Sequence, residues 1–197
     1  MTALDISSVL GLGAMTLLTL NILLGMLVST HYNPVRRWPH RRIDTVGIHN
    51  WTGYLALVVA IVHPLVILLS STAHFVFRDL VYPLGAPKQP YINTLGAAAL
   101  YCLAIVVLTS RVRRSLGRRL WKRVHFLTYL LAPLFLVHGL LTDPELKDRQ
   151  TDFVDAEKVY VELCAVMIAS GAVARVRWQL RQPPARVHRA RARDIAA

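Results

Sequence analysis

Five apolar runs, at about 6–29, 47–71, 92–110, 120–141 and 158–174, take up most of the 197 residues. A helix needs roughly 20 apolar residues to cross a hydrocarbon core about 30 Å thick. Inside that core each backbone N–H and C=O must be satisfied within the chain, which leaves helices or closed barrels. Runs of this length therefore predict an all-α, polytopic membrane bundle of five transmembrane helices. A soluble domain of this size has no need of such stretches. The first run is preceded by one charge, Asp5, and its basic residues come after it. That order is the reverse of a cleaved signal peptide and predicts a retained helix with its N-terminus outside.

The segments between the runs decide orientation. The linker after the first run carries Arg36, Arg37, Arg41 and Arg42, and Pro34 and Pro39 break any helix there. Residues 111–123 carry seven Lys or Arg, and so does the segment from Arg175 to the end. Threading five helices places these three clusters on one side, eighteen cations in all. The other side holds five: Arg78, Lys88, Lys147, Arg149 and Lys158. Cytoplasmic loops are the ones enriched in Lys and Arg, so the N-terminus is expected outside and the C-terminus inside. Trp38, Trp51, Trp121 and Trp178 sit at or near the expected cytoplasmic ends, as interfacial anchors do. The net charge of +12 is thus explained by topology and by anionic lipid headgroups, and nucleic acid is not expected as a partner. The organisation expected is a membrane domain over 1–180 and a basic cytoplasmic tail over 181–197, in a cell inner (cytoplasmic) membrane. Cys102 and Cys164 both fall inside apolar runs, without metal spacing, and read as small core residues.

The second and fourth runs each carry two histidines. His49 and His63 are fourteen residues apart, and His125 and His138 thirteen. At about 1.5 Å per residue, each spacing separates two imidazoles by roughly 20 Å along a helix. The threading makes the two helices parallel, so His49 is level with His125 and His63 with His138. A lone histidine in a spanning helix is accounted for by a hydrogen bond to a neighbouring helix. Four at matched depths point instead to two bis-histidine sites, each filling both axial positions of one haem iron. Such an iron has no open position and passes electrons. One spacing is out of phase: at about 100° per residue, thirteen residues fall roughly 140° short of whole turns. Pro133, between the two histidines, is the expected site of a correcting kink.

The motifs SLGRRLWKRVHFLTYL and VVAIVHPLVIL, with His49 and His138, resemble the ferric-reductase-like transmembrane family. That family includes ferric reductases, NADPH oxidases and the haem-binding membrane subunit of the periplasmic methionine sulfoxide reductase system. The resemblance covers about residues 45–141 and rests on His49, His63, Leu116, Gly117, Trp121, His125, Tyr129 and His138. It implies an oxidoreductase component in which His49, His63, His125 and His138 are axial ligands of two haem b groups. Larger members have six helices and a flavin and nicotinamide domain. Five helices and a short arginine tail here imply a separate flavoprotein or quinol as donor, with quinone or flavin supplied by that partner, and an acceptor on the outer side. Two other redox roles fit the same core: partner of a periplasmic methionine sulfoxide reductase, or electron-transfer subunit of a larger respiratory complex. A haem-free structural or assembly protein is the non-redox alternative.

The remaining polar residues are read more simply. His31, His40, His74 and His188 are expected at surfaces or interfaces, with His74 a candidate contact for an outer acceptor. Arg111, Arg113, Arg114, Arg118 and Arg119 are topology markers or partners for haem propionates. Asp143, Glu145, Asp148, Asp152, Asp155 and Glu157 make the outer loop acidic, which suits solvation or a cationic partner.

Overall fold

In the computed structural model, residues 1–30, 44–147 and 152–182 are described. Arg36, Arg37, Trp38, Arg41 and Arg42, with His31, His40, Asp148, Arg149, His188 and the tail from residue 183, lie outside the described residues. The helices are α1 (Ala3–Ser29), α2 (Thr45–Ile67), α3 (Phe77–Val81), α4 (Pro90–Arg111), α5 (Arg113–Leu116), α6 (Arg118–His125), α7 (Thr128–Leu141) and α8 (Ala156–Leu180). A 3₁₀ turn, Pro83–Gly85, lies between α3 and α4. Five spans are long and apolar enough to cross a membrane: α1, α2, α4, α6 with α7, and α8. The protein is an all-helical polytopic membrane bundle.

Local chemistry explains where the spans begin and end. Thr2 and Asp5 form a reciprocal capping box at the start of α1, with Thr2 N to Asp5 Oδ2 2.7 Å and Asp5 N to Thr2 Oγ1 3.2 Å. Pro90 opens α4, where a missing N–H leaves no bond unmade. Helix α2 stops at Ile67, short of the expected 71. Pro64 has no N–H to give Ala60, and the chain unwinds through i→i+3 bonds at Leu68, Leu69 and Ser70. Helix α8 runs past the expected 174 to Leu180, because Arg175 and Arg177 end the apolar run without ending the helix.

The fourth run departs most from expectation. Helix α6 ends at His125 and α7 begins at Thr128. Between them Leu127 N bonds Val124 O at 2.9 Å, Tyr129 N bonds Phe126 O at 3.0 Å and Leu130 N bonds Leu127 O at 3.0 Å. These are 3₁₀-type bonds, which advance the chain by about 120° per residue instead of about 100°. They add rotation in the direction that the thirteen-residue spacing lacks. The helix is therefore rephased next to His125, while Pro133 lies within α7. Pro133 still contributes, since it leaves Tyr129 O without its helical donor in the turn that follows the tightened segment.

Helix α1 lies along α2, α4 along α6 and α7, and α8 closes against α1 and α7. Met15, Leu18, Ala56, Leu103, Leu131, Phe135, Val161 and Cys164 are buried in one core. Ala56 falls midway between the two histidines of α2, and Leu131 lies between the two of the α6–α7 span. The core is thus an apolar layer separating two polar levels. Cys102 packs against this core, and both cysteines are free. Large apolar side chains such as Trp51, Leu55, Leu108, Leu163 and Val166 face outward, which suits lipid and would drive aggregation in water. The segment after α2 is more than a loop. Ala73, Phe75, Ala86 and Leu146 form a second cluster with Leu4, Ile67, Leu68 and Leu80, capping one end of the bundle. Buried Asp79 starts α3 there by accepting from Val76 N at 3.0 Å.

Candidate functional site

The bundle brings the four histidines together as two pairs that each bridge α2 and the α6–α7 span. The ring centroids of His49 and His125 are 6.3 Å apart with planes at 73°, and those of His63 and His138 are 6.5 Å apart at 70°. All four rings are half-buried. This pairing requires α2 and α7 to run in the same direction.

Three of the rings are held by backbone carbonyls on neighbouring helices. His63 Nδ1 donates to Ser7 O at 2.8 Å, His49 Nδ1 to Asn21 O at 3.1 Å, and His138 Nδ1 to Ile92 O at 2.9 Å. A carbonyl acceptor fixes the proton on Nδ1 and leaves the Nε2 lone pair free, the form that binds a metal. Two of these turns are reinforced. Ser7 Oγ donates to His63 O at 3.0 Å, and Asn21 Nδ2 donates to His49 O at 2.5 Å and to Thr52 Oγ1 at 2.9 Å.

Each accepting carbonyl has a glycine four residues after it: Gly11, Gly25 and Gly96. Side chains on a helix lean toward its N-terminus, so the residue at i+4 covers the turn holding the carbonyl of i. Glycine leaves that carbonyl open. A Cβ at Gly96 would lie 2.8 Å from His138 Cε1, one at Gly11 3.1 Å from His63 Cε1, and one at Gly25 3.2 Å from His49 Cε1. The sequence carries a signal of this that histidine spacing alone misses. Ser7 and Asn21, and Gly11 and Gly25, are fourteen residues apart, as are His49 and His63 on the antiparallel neighbour.

His125 is the exception. Its Nδ1 is buried with no hydrogen-bond partner among the described residues, and its ring lies against Trp121 with centroids 5.2 Å apart. Trp121 Nε1 donates to Ser110 Oγ at 3.2 Å. Ser110 stands fourteen residues after Gly96, where the spacing on α1 would have put another glycine.

A cavity of ≈190 Å³ surrounds the His63–His138 pair, bounded by Gly11, Gly96, Phe135 and Lys158 among others. Lys158, one of the five cations on the less basic side, is buried, 6% exposed. Its Nζ donates to Gly139 O at 3.1 Å and to Thr142 O, tying α8 to the last turn of α7. Nearby, Glu157 accepts from Ser8 Oγ at 3.0 Å. Among the described residues no group of three or more His, Cys, Asp or Glu is arranged to hold a bare metal ion.

The secondary candidates lie elsewhere. His74 is exposed, beyond the end of α2, with φ 55°. Arg111, Arg113, Arg114, Arg118 and Arg119 are all exposed at the end of the bundle that holds His49 and His125. Asp143 accepts from Glu145 N and Lys147 N, and Glu145 pairs with Lys147 at 2.5 Å.

No solved structure matches the chain. A family model described as "Ferric reductase like transmembrane component" matches residues 10–136. The match begins well before the motifs that carry the resemblance, because it takes in α1, the helix that supplies carbonyls to His49 and His63. It includes His49, His63 and His125 and ends two residues before His138. With most of its length covered by that match, the chain belongs to the ferric-reductase-like transmembrane family.

Proposed function

We propose that the protein carries electrons across the membrane through two haem b groups, one held by His49 and His125 and the other by His63 and His138. The observation that carries this reading is the ring separation. An imidazole nitrogen lies about 1.1 Å from its ring centroid and a metal–imidazole bond is about 2.0–2.1 Å, so two rings flanking one metal ion have centroids about 6.3 Å apart. The two pairs stand at 6.3 and 6.5 Å. Two imidazoles cannot complete the coordination of a bare ion, and the described residues offer no third donor. A porphyrin brings its own four nitrogens and needs only the axial pair. The residues present therefore fit haem.

Bound there, haem would supply a one-electron carrier. The chain's own residues do the rest. Ser7, Asn21 and Ile92 hold three imidazoles through Nδ1–H and keep Nε2 available. Leu131 and Phe135 make the space between the levels apolar and wall the His63–His138 cavity on that side. The two levels, about 21 Å apart along α2, reach toward opposite faces of the membrane. The distribution of Lys and Arg supports the N-terminus outside and the C-terminus inside, in a cytoplasmic membrane. His49 and His125 then lie toward a cytoplasmic flavoprotein or quinol donor, and His63 and His138 toward an acceptor outside. Ferric-reductase-like electron delivery is the form of the activity best supported by the family.

A pyridine-haemochrome assay on purified protein tests this directly. Two haem b per chain are expected. A value near zero refutes the reading, and a value near one leaves one pair with a purely structural role.

A further inference from the structure

We infer that Gly11, Gly25 and Gly96 are positioning residues that open a carbonyl to each of three histidines, and that the Trp121 indole, in place of a carbonyl, positions His125, leaving the two levels inequivalent. The inference deepens the haem-binding reading and rests on it. Three independent contacts carry it: Ser7 O with Gly11, Asn21 O with Gly25 and Ile92 O with Gly96, each an acceptor at i and a glycine at i+4. The geometry repeats on two different helices, α1 and α4, so it is not a property of one helix face. At His125 both halves of the device are missing. Among the described residues its Nδ1 has no acceptor, and an indole lies on its ring.

An Nδ1–H···O=C bond makes an imidazole a stronger donor and favours ferric over ferrous iron. Both ligands of the His63–His138 level have that bond, while the other level has it on His49 alone. Substituting alanine for one of these glycines forces the ring away from its carbonyl. The contact distances rank the damage: Gly96→Ala first, at 2.8 Å, then Gly11→Ala at 3.1 Å, then Gly25→Ala at 3.2 Å. Gly13 is the control, since a Cβ there meets nothing within 4 Å.

The test is redox titration of the haem-loaded full chain with optical detection of each haem, alongside His63→Ala to identify the levels. Gly11→Ala and Gly96→Ala should disturb the same haem that His63→Ala removes. Gly25→Ala and Trp121→Leu should disturb only the other. The disturbance expected is loss of that haem, or about a tenfold weaker preference for the ferric form, typical of a lost outer-shell partner. For a one-electron couple that is a rise of about 59 mV. The untouched haem reports in the same spectrum that the bundle has folded. Gly13→Ala as disruptive as the other three, no change in any variant, or equal shifts of both haems would each overturn the inference. If the wild-type chain holds no haem, it is the haem reading that fails. The cradle is then read from ¹⁵N-histidine spectra of the apo chain. His49, His63 and His138 should be Nδ1–H tautomers, and an Nε2–H tautomer at any of them refutes the inference.

Discussion

Replacing His138 with alanine should remove one haem and leave the other nearly unchanged, and replacing His63 should remove the same one. The imidazoles of that level are 6.5 Å apart, and among the described residues each is the other's only opposing ring. The second level lies about 20 Å away along the helix axes. Leu131, Phe135 and Ala56 stand between the levels, and no histidine is shared. Substitutions more than about 7–10 Å apart without common partners usually combine to within about 0.3–0.5 kcal/mol. Applied to the surviving couple, that bounds its shift to about 13–22 mV, taking about 59 mV per tenfold change. The measurement is a potentiometric titration of each variant with haem content determined in parallel, from two haems per chain to one. His49→Ala and His125→Ala should remove the opposite haem. If His63→Ala and His138→Ala removed different haems, α2 and α7 could not be parallel as described. If any single substitution removed both, the levels would be coupled through the core and the insulating layer would be misread.

Two further outcomes follow from particular residues. Lys158→Met keeps the volume but deprives Gly139 O and Thr142 O of their donor. Interhelical hydrogen bonds in membranes average about 0.6 kcal/mol and reach about 1.7, and these two are charge-assisted. A loss of about 2 kcal/mol in reversible SDS unfolding is expected, with Lys158→Arg retaining most of it; a change under about 0.5 kcal/mol for Lys158→Met would mean that the two bonds do not hold α8 to α7. For orientation, a reporter fused after Ala197 should be active only in the cytoplasm and one inserted near Asp148 only outside, and the reverse pattern would exchange the donor and acceptor levels.

Much of the architecture is legible in the residues themselves. The spans follow from apolar run length, because a bilayer leaves backbone groups no partner outside the helix. Helix rise then sets the separation of His49 from His63, and parallel threading pairs them with His125 and His138. These are local or one-dimensional properties, and they survive in the fold. What packing decided is of another kind. Nothing in α1 by itself says that the carbonyls of Ser7 and Asn21 will be used, since an open carbonyl matters only when a donor arrives from another helix. Gly11, Gly25 and Gly96 look like ordinary small residues of membrane helices until an imidazole lies against them.

The same holds for Pro133 and Lys158. Pro133 is the visible irregularity in the fourth run, but the rephasing falls at Phe126 and Leu127, where i→i+3 bonds accommodate the turn. Lys158 enters the sequence only as one of the five cations on the less basic side. It is buried because the last carbonyls of α7 lack donors, and packing brings α8 alongside them. Sequence by itself determined how many membrane-length spans there are and how far apart along a span its two histidines sit. Only the tertiary structure decided which carbonyl holds which ring, because hydrogen bonds between helices depend on facing surfaces that no single helix encodes.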